Sequence, residues 1–286
     1  MNKSNNSSVL GAIIGDLNGS KYEFNNTRTK EFELFQSDMH ITDDSIMTIA
    51  VMKTFNETWP VNRKVIFNND WQTSFKKTLI KNFVEFYKKH PYGGYGGRFH
   101  MWLNGFNKYK PYGSYGNGAA MRISPVGWIA QSEEEVKLLS KLVTEVTHNH
   151  PEGIKGAEAT AMAIYLARTG VSKDQIKQKM IEDYYPEIST FNYEILRKTY
   201  GFSEKCQDSV PQAIYCFLIS NDFKDCIKTA ISIGGDCDTT SAISCAIAGA
   251  YYGISKNIED QTKHFLTSEM VEVIQKFMLL ITKGEN

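Results

Sequence analysis

The amino-acid sequence predicts an all-α protein folded as a single domain. Three observations lead there. Apolar residues recur at helical spacing behind recognisable cap signals in segment after segment. Strand signals, meaning sustained alternation and short β-branched runs bounded by turn dipeptides, are scarce. No linker or internal repeat divides the 286 residues, a length that one large domain can hold.

The elements follow in chain order. Residues 91–118 are crowded with Gly, Tyr and Pro, from Tyr92-Gly93-Gly94-Tyr95-Gly96-Gly97 to Pro111-Tyr112-Gly113-Ser114-Tyr115-Gly116-Asn117-Gly118. Such a stretch cannot stay helical for long, and loops of this kind often carry binding residues on a rigid scaffold. Residues 132–147 open with Ser132 and Glu135 at capping-box spacing, and Val136, Leu139, Leu142, Val143 and Val146 then share a face. Ser172 and Gln175 repeat the signal ahead of Ile176 and Met180. Asp208 and Ser209 precede Pro211, a favoured first-turn residue, which predicts a helix starting there and running through Leu218. Asp222 caps a face of Phe223, Cys226, Ile227, Ala230 and Ile231 that Gly234 can stop. Residues 241–252 read as a buried small-residue helix, and Met270, Val273, Ile274, Phe277, Met278 and Ile281 form a last helical face.

Composition narrows the function classes. Hydrophobic residues are 42%, charged residues 22%, and the formal net charge is +0. No bulk field therefore draws the chain onto nucleic acid or an anionic membrane, and neither is an expected partner. The five cysteines (Cys206, Cys216, Cys226, Cys237 and Cys245) include no CxxC pair, which argues against a disulfide framework or a zinc site. Cys216, Cys226 and Cys245 fall on apolar faces as inert core thiols. Free thiols suit a reducing compartment, so the cytoplasm is expected. Residues 1–8 are polar and lack the basic and apolar regions of a signal peptide. They are expected to form a flexible tail, with the domain spanning 9–286. No apolar run approaches the ~18 residues that a membrane span needs.

Two carboxylate motifs carry the chemistry. Thr42-Asp43-Asp44-Ser45 sets two like charges side by side. A helix start could compensate them through its exposed amides and dipole, so a capping role stays open. Gly234-Gly235-Asp236-Cys237-Asp238-Thr239 lets the backbone turn sharply before two more carboxylates and a hydroxyl. One cap needs one Asp, so a metal role stands beside capping there. Together the motifs offer oxygen donors, which suit hard cations such as Mg²⁺ or Mn²⁺. Four carboxylates exceed what one Mg²⁺ usually takes, which favours two cations with shared ligands.

These motifs, in this order, resemble the ADP-ribosylglycohydrolase family, which includes the dinitrogenase-reductase-activating glycohydrolases. The opening Gly11-Ala12-Ile13-Ile14-Gly15-Asp16 with Glu23-Phe24 is similar to its Gly-Asp…Glu-Phe pattern. Thr42-Asp43-Asp44 matches its Thr-Asp-Asp motif. Asn117-Gly118-Ala119-Ala120-Met121-Arg122 resembles its Asn-Gly-Ala-Met-Arg stretch, and Thr147-His148-Asn149-His150-Pro151 its His-containing segment. Gly234-Gly235-Asp236-Cys237-Asp238-Thr239 matches its closing motif, so the similarity runs from Gly11 to about Gly253. Departures are Ser45 for a frequent Thr, Asn18 for a small apolar residue, and Cys237 at a variable position.

The resemblance implies an all-helical domain with two Mg²⁺ or Mn²⁺ ions in a cleft. It implies hydrolysis of the glycosidic bond between ADP-ribose and a modified protein or small molecule. The implied metal ligands are Thr42, Asp43, Asp44, Asp236, Asp238 and Thr239, with Glu23, Asp43 and Asp236 in catalytic roles. Cleavage at the ribose anomeric carbon passes through an oxocarbenium-like state. There Glu23 would act as base or position substrate, the alternative being a solvated helix-end residue. Asp16 reads as buried support beside the metals, the alternative being a direct catalytic role. Amides of Tyr115, Gly116, Asn117 and Gly118 are candidate diphosphate donors, as is His148, which could instead cap a helix. His150 shapes the turn before Pro151. Arg122 would meet phosphate or a structural ion pair. Tyr92, Tyr95, Tyr112 or Tyr115 could stack on adenine.

Two rivals stand beside this reading. One is a binding protein that neutralises an ADP-ribosyltransferase toxin through the N-terminal tail or the Gly-Tyr loop. The other is an Asp-cluster phosphatase, disfavoured because both Asp clusters join helices.

Overall fold

Side-chain caps set most of the helix starts in the computed structural model, which describes residues 9–283; the tail expected at 1–8 lies outside the described residues. The helices are α1 (Gly11–Gly19), α2 (Asp43–Thr58), α3 (Asn69–Lys89), α4 (Gly97–Leu103), α5 (Gly118–Met121), α6 (Ser124–Ile129), α7 (Glu133–Thr144) and α8 (Pro151–Arg168). Then come α9 (Lys173–Asp183), α10 (Tyr193–Thr199), α11 (Cys206–Ile219), α12 (Phe223–Ser232), α13 (Cys237–Tyr252), α14 (Lys256–Lys263) and α15 (Ser268–Lys283). Short 3₁₀ turns fill several connections. Apart from an isolated antiparallel bridge between Gly116 and Lys205, the described residues form no strand. None of these helices is long and apolar enough to cross a membrane.

The caps expected at Ser132, Ser172 and Asp222 are present, each side chain accepting from the backbone amide three residues on. At Ser172 the full reciprocal box forms. Glu135 instead turns its carboxylate to Arg63 Nε at 2.7 Å and the Gln131 amide at 2.7 Å, because a cation lies within reach. The expected start of α11 is corrected. The helix begins at Cys206, so Pro211 sits in its interior rather than its first turn. Tertiary bonds set that earlier start: Cys206 N donates to Tyr115 O at 3.0 Å, and Asn117 N to Glu204 O at 2.7 Å.

The core is organised around α13. Every residue from Cys237 to Ala250 is buried, and α1, α2, α5, α8, α11 and α12 all pack against this helix. Small residues make that crowding possible. Gly11, Gly15 and Gly19 recur every fourth residue along α1 and form a bare stripe laid on α13. A Cβ on Gly15 would come within 2.7 Å of Ala242 N, and one on Gly19 within 2.5 Å of Asp238 Cα. Backbone cannot yield there as a flexible side chain would. A Gly15→Ala protein is therefore expected to lose about 3 kcal/mol, the upper end of an overpacking penalty, read as a lower urea midpoint. The five cysteines are free and buried, in keeping with inert core thiols.

Candidate active site

The start of α2 and the start of α13 meet over α1, bringing the two carboxylate motifs together. Asp16 of α1 is the bridge. Fully buried, its carboxylate accepts from Thr42 N at 2.9 Å, Thr42 Oγ1 at 2.7 Å, Ser45 N at 3.1 Å and the Ser45 hydroxyl. Asp16 thus caps α2 from a neighbouring helix, its carboxyl oxygens at the positive end of the dipole. This is the supporting role anticipated for it, and Ser45 supplies the hydroxyl it needs. Thr42 also caps its own helix, accepting from Asp44 N at 3.3 Å. Across the interface, Thr239 Oγ1 donates to Asp44 Oδ2 at 3.3 Å, a contact between residues 195 apart in sequence.

The second motif is held by a sharp turn. Gly234 and Gly235 adopt φ of +75° and +77°, the left-handed region where side chains strain the backbone. Two residues that the sequence did not single out hold this turn. Asn26 donates to Gly235 O at 2.9 Å and accepts from Gly235 N at 2.8 Å. Arg28 donates to Tyr200 O at 2.9 Å and to Ile233 O. Asn26 also donates to Glu23 O at 3.1 Å, so one amide side chain ties the Glu23 loop to the Asp236 loop. Outer partners of this kind typically alter metal affinity by 10–100-fold. Asn26→Ala is accordingly expected to weaken divalent-cation binding about tenfold by calorimetry, with the helical circular dichroism unchanged.

Glu23 completes the cluster. Carboxylate oxygens of Glu23, Asp236 and Asp238 all lie within 4.8 Å of one another, a group able to hold a metal ion. Asp43, Asp44 and Thr239 line the same cavity of about 370 Å³, along with Asn117, Gly118 and His148. Burial first, and the Asp238 charge second, push Asp16 up to about 7 and Glu23 up to about 8. The same two causes hold Asp43, Asp44 and Asp236 well above the ordinary carboxylate range. A cluster of this kind keeps protons until a cation displaces them.

The Gly-Tyr segment forms the opposite wall. It is anchored where Asp43 N donates to Gly93 O at 2.6 Å. Asn117 donates through Nδ2 to Asp236 Oδ2 at 2.7 Å, so its side chain serves the carboxylate cluster. Two of the four expected diphosphate amides are engaged elsewhere: Gly116 N donates to Ser114 Oγ at 3.1 Å and Asn117 N to Glu204 O. The amides of Tyr115 and Gly118 are the remaining candidates in that loop. Among the tyrosines considered for adenine, Tyr112 lines the cavity. Tyr115 is partly exposed against His150, Tyr92 stands out in solvent, and Tyr95 is turned inward against Tyr87 with its hydroxyl on His90 O. His150 caps α8 by accepting from Glu152 N, as a turn-shaping residue should.

Arg122 is corrected most. Among the described residues no carboxylate forms an ion pair with it, and it does not line the cavity; it is fully buried and lies over the rings of Phe83 and Phe99. Phe202 and Glu204 also line the cavity, and Phe202 stacks on the exposed Phe24 beside Glu23. No spacing or composition signal marks these two residues.

Comparison with known proteins shows the family. The model of the ADP-ribosylglycohydrolase family matches residues 6–283. ADP-ribosylhydrolase ARH3 of Mus musculus is 27% identical over 321 aligned residues, covering 87% of this chain and 83% of that protein. ADP-ribosylarginine hydrolase Tri1 of Pseudomonas putida (strain GB-1) is 25% identical over 145 residues, covering 49% and 39%. A solved structure described as an ADP-ribosylglycohydrolase-related protein complex shares the fold, with a TM-score of 0.69 at 18% identity across 96% of each chain. The match along nearly the whole chain places this protein in the ADP-ribosylglycohydrolase family, as a hydrolase of glycosidic bonds to ADP-ribose.

Proposed function

We propose that the chain removes ADP-ribose from a modified protein or small molecule with the help of two divalent cations, Mg²⁺ or Mn²⁺. The observation that carries this reading is the convergence of Asp43 and Asp44 with Asp236, Asp238 and Thr239 in one cavity. Asp44 Oδ1 strengthens it, being a buried carboxylate oxygen with no hydrogen-bond partner. Such an orphan needs an explanation, and a cation ligand is the chemical one. Thr42, Asp43, Asp44, Asp236, Asp238 and Thr239 would hold the ions, and Glu23 is close enough to Asp236 and Asp238 to join them. The ions, when bound, supply Lewis-acid activation of water and a grip on ribose hydroxyls.

The chain's own residues do the rest. Glu23, partly exposed, is the group to take a proton from the attacking water once it has given up the proton that burial and the Asp238 charge favour in the metal-free cluster. The anomeric C–O or C–N bond breaks, the new C–O bond forms to that water, and the leaving group departs with a proton. Asn117 holds Asp236 in place through its 2.7 Å bond. Asp16 locks the start of α2, so Asp43 and Asp44 are presented at fixed positions. His148 and the Gly118 amide, both belonging to residues that line the cavity, would meet the diphosphate.

Turnover of ADP-ribosyl-arginine and ADP-ribosyl-serine peptides tests the reading. Free ADP-ribose should appear with Mg²⁺ or Mn²⁺ and cease with EDTA. Release that ignores EDTA would remove the metal from the account. Which of the two peptides turns over would identify the attachment chemistry.

A further inference from the structure

Among the described residues no carboxylate forms an ion pair with the buried Arg122, and a buried cation so placed demands a reason. The Arg122 guanidinium carbon lies 4.6 Å from the Phe83 ring centroid and 5.2 Å from that of Phe99. These ring faces offset part of its desolvation, yet Nε and Nη1 have no hydrogen-bond partner. Its one polar engagement is through Nη2, which donates to Thr147 Oγ1 at 2.6 Å and lies 3.3 Å from His148 Nδ1. Thr147 Oγ1 is in turn 2.7 Å from His148 Nδ1.

The direction of this chain follows from donor chemistry. A guanidinium can only donate. Thr147 Oγ1 therefore accepts from Arg122 and has its own hydrogen to give to His148 Nδ1. A hydrogen on Nδ1 could turn to the second lone pair of Thr147 Oγ1, but it would stand against the Arg122 Nη2 donor 3.3 Å away. Nδ1 is thus the acceptor, and Nε2 carries the ring hydrogen. That atom faces the cavity: side chains on Gly116 and Gly118 would begin 3.5 Å and 3.3 Å from it. Glycine at both positions leaves its approach open. Burial first, then the charges of Arg122 and Arg98, hold the His148 pKa well below its ordinary value, so the ring is neutral.

We infer that Arg122 is a positioning residue that acts through Thr147 to fix His148 as the Nε2–H tautomer, a neutral donor aimed at the diphosphate of the ligand. The opposite tautomer would point a lone pair at a phosphate oxygen. The ligand half of this inference rests on the ADP-ribose reading of the cavity; the tautomer half does not.

Nitrogen-15 NMR of the histidines in full-length, Mg²⁺-loaded protein tests both halves, with His148 assigned by its loss in His148→Gln. The expected pattern is a protonated Nε2 and a bare Nδ1, with both resonances shifting when ADP-ribose is added. Thr147→Val should mix the tautomers and raise KM roughly tenfold, the worth of a hydrogen bond to a charged group, with kcat little changed. Thr147→Ser should restore both. An Nδ1–H pattern in the wild type, or a Thr147→Val protein with unmoved tautomer and KM, would overturn the relay. The expected pattern without any response to ADP-ribose would overturn the ligand assignment and leave the relay standing.

Discussion

An Asp238→Asn enzyme is expected to lose a thousandfold or more in kcat/KM, about 4 kcal/mol of transition-state stabilisation. Its metal-free form should nonetheless melt at a higher temperature than the wild type. The two effects have opposite signs because Asp238 does two things. It offers a carboxylate within 4.8 Å of those of Glu23 and Asp236, where a cation would sit. In the metal-free protein the same charge is the leading electrostatic burden on Asp16, Glu23, Asp43, Asp44 and Asp236. Asparagine keeps the local cap, since Thr239 N donates to Oδ1 at 2.9 Å and an amide oxygen can accept that bond equally. It removes only the charge. The test pairs kcat/KM in saturating Mg²⁺ with the Tm in EDTA. A fall in both would mean that Asp238 holds the turn together, and full activity would remove it from the ligand set.

The two motifs at the heart of the site were legible because each is local. Thr42 caps α2 and the Gly234–Gly235 turn launches α13, so short sequence patterns already encode where the carboxylates stand. Their convergence is not local, and the resemblance to a family, rather than spacing, anticipated it. Asn26 and Arg28 left no signal because their partners lie in backbone some 200 residues away, and hydrogen bonds to backbone impose no pattern on the partner's side chains. Arg122 defied expectation for a related reason. Charge arithmetic looks for a carboxylate, whereas its compensation comes from ring faces on α3 and α4. The signal for α3 was available in Asn68 and the stripe Phe75, Leu79, Phe83 and Phe86, although buried Asn82 and the surrounding lysines blur its apolar contrast. At α11 the start was misplaced since Tyr115 and Glu204 supply backbone bonds that no helix-start rule contains.

Raising the pH from about 4 toward 8 should destabilise the metal-free protein, the reverse of ordinary acid denaturation, and Mg²⁺ or Mn²⁺ should restore what is lost. The sign follows from proton linkage. Asp16 titrates near 7 in the folded chain against 3.8 when unperturbed, and Glu23 near 8 against 4.5; Asp43, Asp44 and Asp236 are displaced the same way. Between these values the folded state binds more protons than the unfolded chain, so stability falls as pH rises. The contribution is fully present below the unfolded values and is lost as pH climbs through the folded ones. Cations bind only the deprotonated carboxylates, so they compete with those protons. At pH 5 protons should occupy the cluster, and added Mn²⁺ should barely move the Tm. At pH 8 the ions should prevail, adding about 2.7 kcal/mol per site at a free concentration a hundred times Kd. Calorimetric titration in buffers of different ionisation enthalpy would count the protons expelled. A Tm in EDTA that rises steadily from pH 4 to 8 would mean that the carboxylates are charged without metal, and that some other cation already balances them. Metal binding with no proton release would lead to the same conclusion, so the two measurements together decide whether this cluster is a store of protons that the metals displace.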